Sequence, residues 1–211
     1  ALVHLTVSRF KMKIVGICGS SGSGKSTVSK YFREHGIPVL DCDEIYHTLV
    51  ESPSECLNEI GQQFGKDLIQ NGCLDRKKLG NIVFQNHDKL NQLNEISHRH
   101  VILEIEKRIE DFCKENLEAC IIDAPMLFES GLDRRCDVII AVICNENLQI
   151  QRICARDGID EASAKRRLIN QKNAKVLTEL ADFIIRNDGT DTELLLQCEQ
   201  IRNQIFTEKG E

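Results

Sequence analysis

Apolar residues follow two rhythms along this chain. Short unbroken runs occur at Lys13–Cys18 (KIVGIC), residues 37–40, residues 119–122 (ACII), Val138–Ile143 (VIIAVI) and residues 183–185. Continuous runs of this length predict strands buried on both faces, as in a parallel sheet. Between them the apolar positions fall at helical spacing. Residues 25–35 carry Val28, Tyr31 and Phe32 and are closed by Gly36, so they predict a helix with a glycine stop. From Asp43 to Asn116 the pattern is almost wholly helical, and the stretch 90–112 places Leu93, Ile96, Val101, Ile105 and Ile109 close to one stripe. Residues 147–155 and 161–172 predict strongly charged helices, and residues 192–205 a terminal one.

Five strands alternating with helices predict an α/β domain with a five-stranded parallel sheet. Its first strand–helix–strand crossover should be right-handed. The core then comprises residues 13–43 and 117–206, with residues 44–116 as a helical insertion and a lid over about 152–178. Residues 1–12 are set aside as an N-terminal extension, with Met12 the expected natural start.

The strongest chemical signal sits after the first run. Gly19-Ser20-Ser21-Gly22-Ser23-Gly24-Lys25-Ser26 fits G-x-x-x-x-G-K-[ST] and is followed by Thr27. It lies between a predicted strand and a predicted helix, where a phosphate-binding P-loop must lie. Glycines let the backbone curl so that N–H groups converge on phosphate oxygens, and the helix N-terminus adds partial positive charge. Gly19, Gly22, Ser23, Gly24, Lys25, Ser26 and Thr27 are therefore the expected ATP-binding residues. Lys25 supplies full charge for the β- and γ-phosphates, and the Ser26 hydroxyl is a candidate Mg²⁺ ligand. The expected fold is thus a P-loop NTPase-type three-layer α/β/α core. A guanine-reading [NT]-K-x-D motif is absent, which argues against a GTPase.

Carboxylates and cations complete the reading. Asp41 and Asp43 stand at the end of the second strand, where ligands of open parallel sheets bind. One can cap the following helix and the other can accept a proton from an attacking hydroxyl; Asp41 suits the cap and Asp43 the base. Asp123 ends the third strand and either holds Mg²⁺ through water or is a solvated strand end. Arg152 and Arg156 are i,i+4 on one helix face and can neutralise a migrating phosphoryl group. Arg166, Arg167, Lys172 and Lys175 follow, either as a closing lid or as a solvated charged face.

Composition narrows the class further. With 27 Lys+Arg against 33 Asp+Glu the net charge is −6, which disfavours a nucleic-acid-tracking surface. No apolar run approaches the ~20 residues of a membrane helix. Ten cysteines are scattered without C-x-x-C pairs or metal-ligand spacing, and no secretory leader pattern precedes them, so reduced thiols in a cytoplasmic protein are expected.

Six ordered blocks resemble the dephospho-coenzyme A kinase family, covering about residues 13 to 205. They are IVGICGSSGSGKSTVSKYF, IPVLDCDEI, LNEISHRHV, DAPMLFESGLD, QRICARDGID and ADFIIRNDGT. The resemblance implies transfer of the ATP γ-phosphate to the ribose 3′-hydroxyl of dephospho-CoA, with ATP and dephospho-CoA as the binding partners and a monomer or weak homo-oligomer as the working form. It implies Asp43 as base, with Lys25, Arg152 and Arg156 as the other catalytic groups. It also implies Asn187 and Gly189 beside the adenine, and His98, Leu127, Phe128 and Glu129 in the acceptor pocket; for His98 the residues alone equally allow a packed or capping histidine. Two departures stand out: Arg99 replaces the proline usual after the histidine, and Leu177 occupies a commonly basic lid position. The competing readings are another P-loop kinase, acting on a nucleoside monophosphate or small alcohol, and an ATP-binding switch without transfer activity.

Overall fold

The structure, a computed structural model, describes residues 12–169 and 171–206. The expected extension, apart from Met12, lies outside the described residues. Five strands form one sheet: β1 (Lys13–Cys18), β2 (Val39–Asp41), β5 (Ala119–Asp123), β6 (Val138–Ile143) and β7 (Phe183–Arg186). The spatial order is β2-β5-β1-β6-β7 and every neighbouring pair is parallel. The first three predicted elements are found nearly as expected, with α1 at Lys25–Glu34. β2 starts two residues later than predicted, at Val39: Pro38 has no N–H to give a ladder, although its carbonyl still accepts from the Ile121 N–H at 2.8 Å.

Alternation along the strands divides the core into two layers. Val15, Ile17, Ile121, Ile140, Val142 and Ile185 face α1 and the terminal helix α9 (Asp191–Phe206), where Val28, Phe32, Leu194 and Ile201 meet them. Cys18, Leu40, Ile122, Ala141 and Ile143 face the other way. There they meet α2 (Cys42–Val50), α5 (His87–Lys114) and α8 (Ala174–Leu180) through Ile45, Val101, Ile105 and Leu177. A sheet buried on both faces by helices is the three-layer arrangement that continuous apolar strands require.

Between β2 and β5 lie α2, α3 (Glu55–Phe64), α4 (Arg76–Val83) and the 28-residue α5. The segment is almost wholly helical, as expected, with one small hairpin that the pattern did not single out. Ile69–Gln70 (β3) and Cys73–Leu74 (β4) pair antiparallel around Asn71-Gly72. Both turn residues have positive φ, 52° and 80°. Asn-Gly is the pair a two-residue hairpin demands, so the signal was present in the sequence but its flanking strands are only two residues each. Leu57, Ile60, Leu68, Leu79 and Ile96 give this region a small core of its own. α5 runs unbroken through Arg99, where a proline would have removed a helical hydrogen bond; Arg99 and His100 instead both reach Glu59 of α3.

After β6, α6 (Glu146–Asp157) and α7 (Glu161–Ile169) pack on each other through Ile150, Ile153 and Ala164. Leu177, at the lid position the resemblance expects to be basic, is buried in the core beside β6. No helix among the described residues is long and apolar enough to cross a membrane.

Phe32 is fully buried between α1 and the sheet. Phe32→Ala should lower unfolding free energy by about 3–5 kcal/mol, read as a lower urea midpoint at unchanged m-value. An unchanged midpoint would mean that the α1 layer carries little of the stability.

Candidate active site

The carboxyl ends of β1, β2 and β5 converge on one spot, and the glycine-rich loop lies over it. Register places Asp123 level with Ile17 on one side and Asp41 on the other. The loop is shaped by close approach. Gly22 (φ +77°) has space for no Cβ, which would lie 2.7 Å from the Gln149 carbonyl oxygen. Gly24 (φ +95°) is pressed against Asn187 in the same way. Gly24 is the N-cap of α1 with no side-chain capping bond, and the first turn holds no acidic residue. The exposed donors at that helix end are thus free to meet an anion. The Ser23 hydroxyl, 0% exposed, has no hydrogen-bond partner among the described residues. An orphaned buried hydroxyl beside an uncapped helix N-terminus fits a cradle completed by an anion.

Lys25 reaches back to Asp123, which is 1% exposed, in a close ion pair. The second carboxylate oxygen of Asp123 accepts from the Ser29 hydroxyl at 2.5 Å. Asp123 is therefore a buried, doubly held carboxylate rather than a solvated strand end. Ser26 and Thr27 are exposed on the first turn of α1.

The two other carboxylates separate as expected. Asp41 caps α2, accepting from the Asp43 and Glu44 N–H groups at 2.9 and 3.1 Å. Asp43 is left facing a cavity of about 610 Å³ that runs from the loop under the inserted helices. It opens to water at the cavity mouth, yet the surrounding protein crowds it enough that desolvation pushes its carboxyl above the ordinary value. Lys25 pulls the other way, while Asp41 and Asp123 add to the upward push.

His98 lines the same cavity, and burial lowers its pKa against a smaller opposing pull from Glu129. Leu127 does not line it. This residue is fully buried in the second core layer with Phe128 packed beside it, because the turn after β5 directs Ala124 and Leu127 inward and leaves Met126 exposed. Pro125, Met126 and Ser130 form that wall instead, and Glu129 pairs with Lys172 at 3.1 Å. The far end of the cavity is apolar, with Leu79, Val83 and Leu93, and carries Arg76, which bonds His47 at 2.9 Å. These inserted-helix residues have the same apolar spacing as core positions, so the sequence pattern does not distinguish them.

The two arginines part company. Arg152 approaches the loop at the Gly22 carbonyl (3.4 Å), whereas Arg156 is exposed and held bidentately by Asp157, at 2.7 and 3.0 Å. Arg156 and Arg167 together hold the Asp157 carboxyl well below its usual range. Arg166 bonds Ser163 on its own helix and stays on the surface. Asn187 is buried and donates to the Ser23 carbonyl at 2.9 Å, bracing the loop from beneath, and Gly189 lies exposed beyond it. The thiols of Cys18 and Cys42, close to the loop, are pushed up to about 12 by burial and stay protonated at neutral pH. All ten cysteines are free.

With this geometry in place, comparison with known proteins is informative. A family model described as dephospho-CoA kinase matches residues 13–193. A dephospho-CoA kinase of Bacillus cereus is 39% identical over 189 residues, spanning 89% of this chain and 94% of that protein. The solved structure of dephospho-CoA kinase from Campylobacter jejuni superposes with a TM-score of 0.71 at 27% identity, over 95% of this chain and all (100%) of that one. A shikimate kinase from Acinetobacter baumannii shares the fold, with a TM-score of 0.56 at 15% identity over 96% and 97% of the two chains.

The Lys25–Asp123 pair makes a stability prediction that is independent of any reaction. Lys25→Met should cost about 3 kcal/mol at neutral pH by leaving a buried carboxylate without its cation. Adding Asp123→Asn should recover most of that loss. A neutral effect of Lys25→Met on the urea midpoint would show that the pair contributes nothing to folding.

Proposed function

The chain belongs to the dephospho-CoA kinase family, and on that premise we propose that its cavity holds dephospho-CoA with the ribose 3′-hydroxyl turned toward ATP on the loop. Transfer of the γ-phosphoryl group then gives CoA and ADP. The observation that carries the assignment of residues is the convergence of Lys25, Asp43 and the cavity mouth at one end of the sheet.

Phosphates of ATP occupy the cradle of Gly19, Gly22, Ser23, Gly24, Ser26 and Thr27, where the unpartnered Ser23 hydroxyl and the open helix end receive them. Lys25 then exchanges the Asp123 carboxylate for phosphate oxygens. Asp43 accepts the proton of the attacking hydroxyl while holding it in line with the phosphoryl group. Arg152, already beside Gly22, neutralises charge that builds on that group. Arg156 reaches the same place only by leaving Asp157. Asn187 acts by supporting the loop, and the exposed turn at Gly189 is open to the adenine. His98 stays neutral in the cavity wall, able to donate or accept one hydrogen bond. The apolar far wall suits the uncharged arm of the acceptor.

The donor set also fits magnesium. Ser26 offers a hydroxyl beside the phosphates, and Asp123 a buried carboxylate whose role would be exercised through water. When bound, the ion would supply charge neutralisation to the phosphate oxygens. A cytoplasmic setting accords with this reading, which requires neither nucleic acid, membrane nor a second chain.

The direct test is ADP release from ATP and Mg²⁺ across dephospho-CoA, adenosine, AMP, shikimate and no acceptor. Release that depends on dephospho-CoA, with CoA formed, is expected. Dependence on another acceptor would overturn the substrate, and equal release without acceptor would overturn the kinase reading. Asp43→Asn should reduce turnover by about 10²–10⁴ with nucleotide affinity kept. Because Asp43 works as a carboxylate and its pKa is raised, wild-type kcat/KM should fall on acidification through a value above the ordinary 3.8. That acid limb should be missing in Asp43→Asn; its persistence would assign the limb to another group.

A further inference from the structure

Three consecutive loop residues are each gripped by a different side chain from beyond β6. Gln149 of α6 donates to the Ser20 hydroxyl at 2.6 Å, and Arg152 approaches the Gly22 carbonyl. Between them, Gln171 takes Ser21 twice: its Oε1 accepts the Ser21 N–H at 2.8 Å and its Nε2 donates to the Ser21 hydroxyl at 3.2 Å. The first two grips come from a helix packed firmly beside the loop. The third comes from the connection into α8, so it ties the loop to a different part of the chain.

That connection is itself well anchored. The Gln171 N–H donates to the Leu168 carbonyl at the end of α7, Lys172 pairs with Glu129, and Asn173 caps α8. Leu177 fixes α8 in the core. Gln171 and Ser21 both line the cavity, at the edge where it meets the loop. A carboxamide is suited to this contact because it offers an acceptor and a donor side by side, matching the N–H and hydroxyl of one serine.

The bond has a consequence for the cradle. Ser21 N–H is turned to a side chain instead of joining the donors that face an anion, so the arch between Gly19 and Gly22 is held in one shape. We propose that Gln171 is a positioning residue that sets the arch of the phosphate loop at the boundary with the acceptor cavity, and so aligns the two substrates. It acts through Ser21 and need not touch either substrate. The kinetic half of this inference rests on the phosphoryl-transfer reading above; the structural half does not.

The test therefore has two arms on the full chain. Amide hydrogen exchange at Ser21, in nucleotide-free protein, should be at least about tenfold faster in Gln171→Ala than in wild type. In Gln171→Glu the accepting oxygen is retained, so exchange should stay slow. Exchange of β6 amides should be the same in all three, which shows that the fold is kept. In steady state with ATP and dephospho-CoA, Gln171→Ala should lower kcat about tenfold while both KM values stay within about twofold, the signature of lost alignment rather than lost binding. Unchanged Ser21 exchange in Gln171→Ala would overturn the proposal, as would a kcat within about twofold of wild type. If wild type turns over a different acceptor, the substrate assignment falls, and the same two arms with that acceptor still decide the role of Gln171.

Discussion

A carboxylate that is almost wholly buried needs a partner, and Asp123 has two. The pair it makes with Lys25 joins β5, beside the central strand, to the end of the glycine-rich loop, and its bond to Ser29 joins it to the first turns of α1. Strand, loop and helix are therefore tied at one atom cluster, directly below the place where an anion is wanted. Coulomb attraction is strong in this poorly hydrated position, so Lys25 is held ready in the site rather than free in solvent. The same arrangement makes exchange possible. Under the proposed reading, a phosphate group above Lys25 would compete with Asp123 for the ammonium, while Asp123 would keep its Ser29 hydroxyl donor.

Other parts of the fold serve to hold that cluster still. Two apolar layers clamp the sheet, and Asn187 supports the loop from the end of β7. The glycines at 22 and 24 permit the clamp, since side chains at either would strike Gln149 or Asn187. Tight packing of this kind leaves the loop little freedom of its own. Toward the cavity, Ser21 is bonded to a side chain from the connection into α8.

The inserted helices solve a different problem. They keep a small core of their own and bring an apolar wall, a neutral histidine and an arginine around a space that opens onto Asp43. Fold likeness to a shikimate kinase at low identity shows that this arrangement of sheet and helices recurs in a chain of different sequence.

The order of strands and helices, the position of the glycine-rich loop between strand and helix, and the capping of α2 by Asp41 with Asp43 left at the cavity were legible in the sequence. Those features depend on neighbours in the chain: apolar runs, glycine spacing, and a helix start that leaves one aspartate to cap and one to face outward. The short hairpin at Asn71-Gly72 was local too, but its strands were too brief to stand out. Contacts between distant segments were not legible. That Asp123 is buried against Lys25, that Leu127 sits in the core while Met126 lines the cavity, and that Gln171 grips Ser21 are all set by packing. Each depends on which side chains the sheet and its helices bring within a few ångströms, over separations of up to 150 positions in the chain for Ser21 and Gln171. Local spacing carries the chemistry a residue can do, and only the tertiary structure decides which partner it meets.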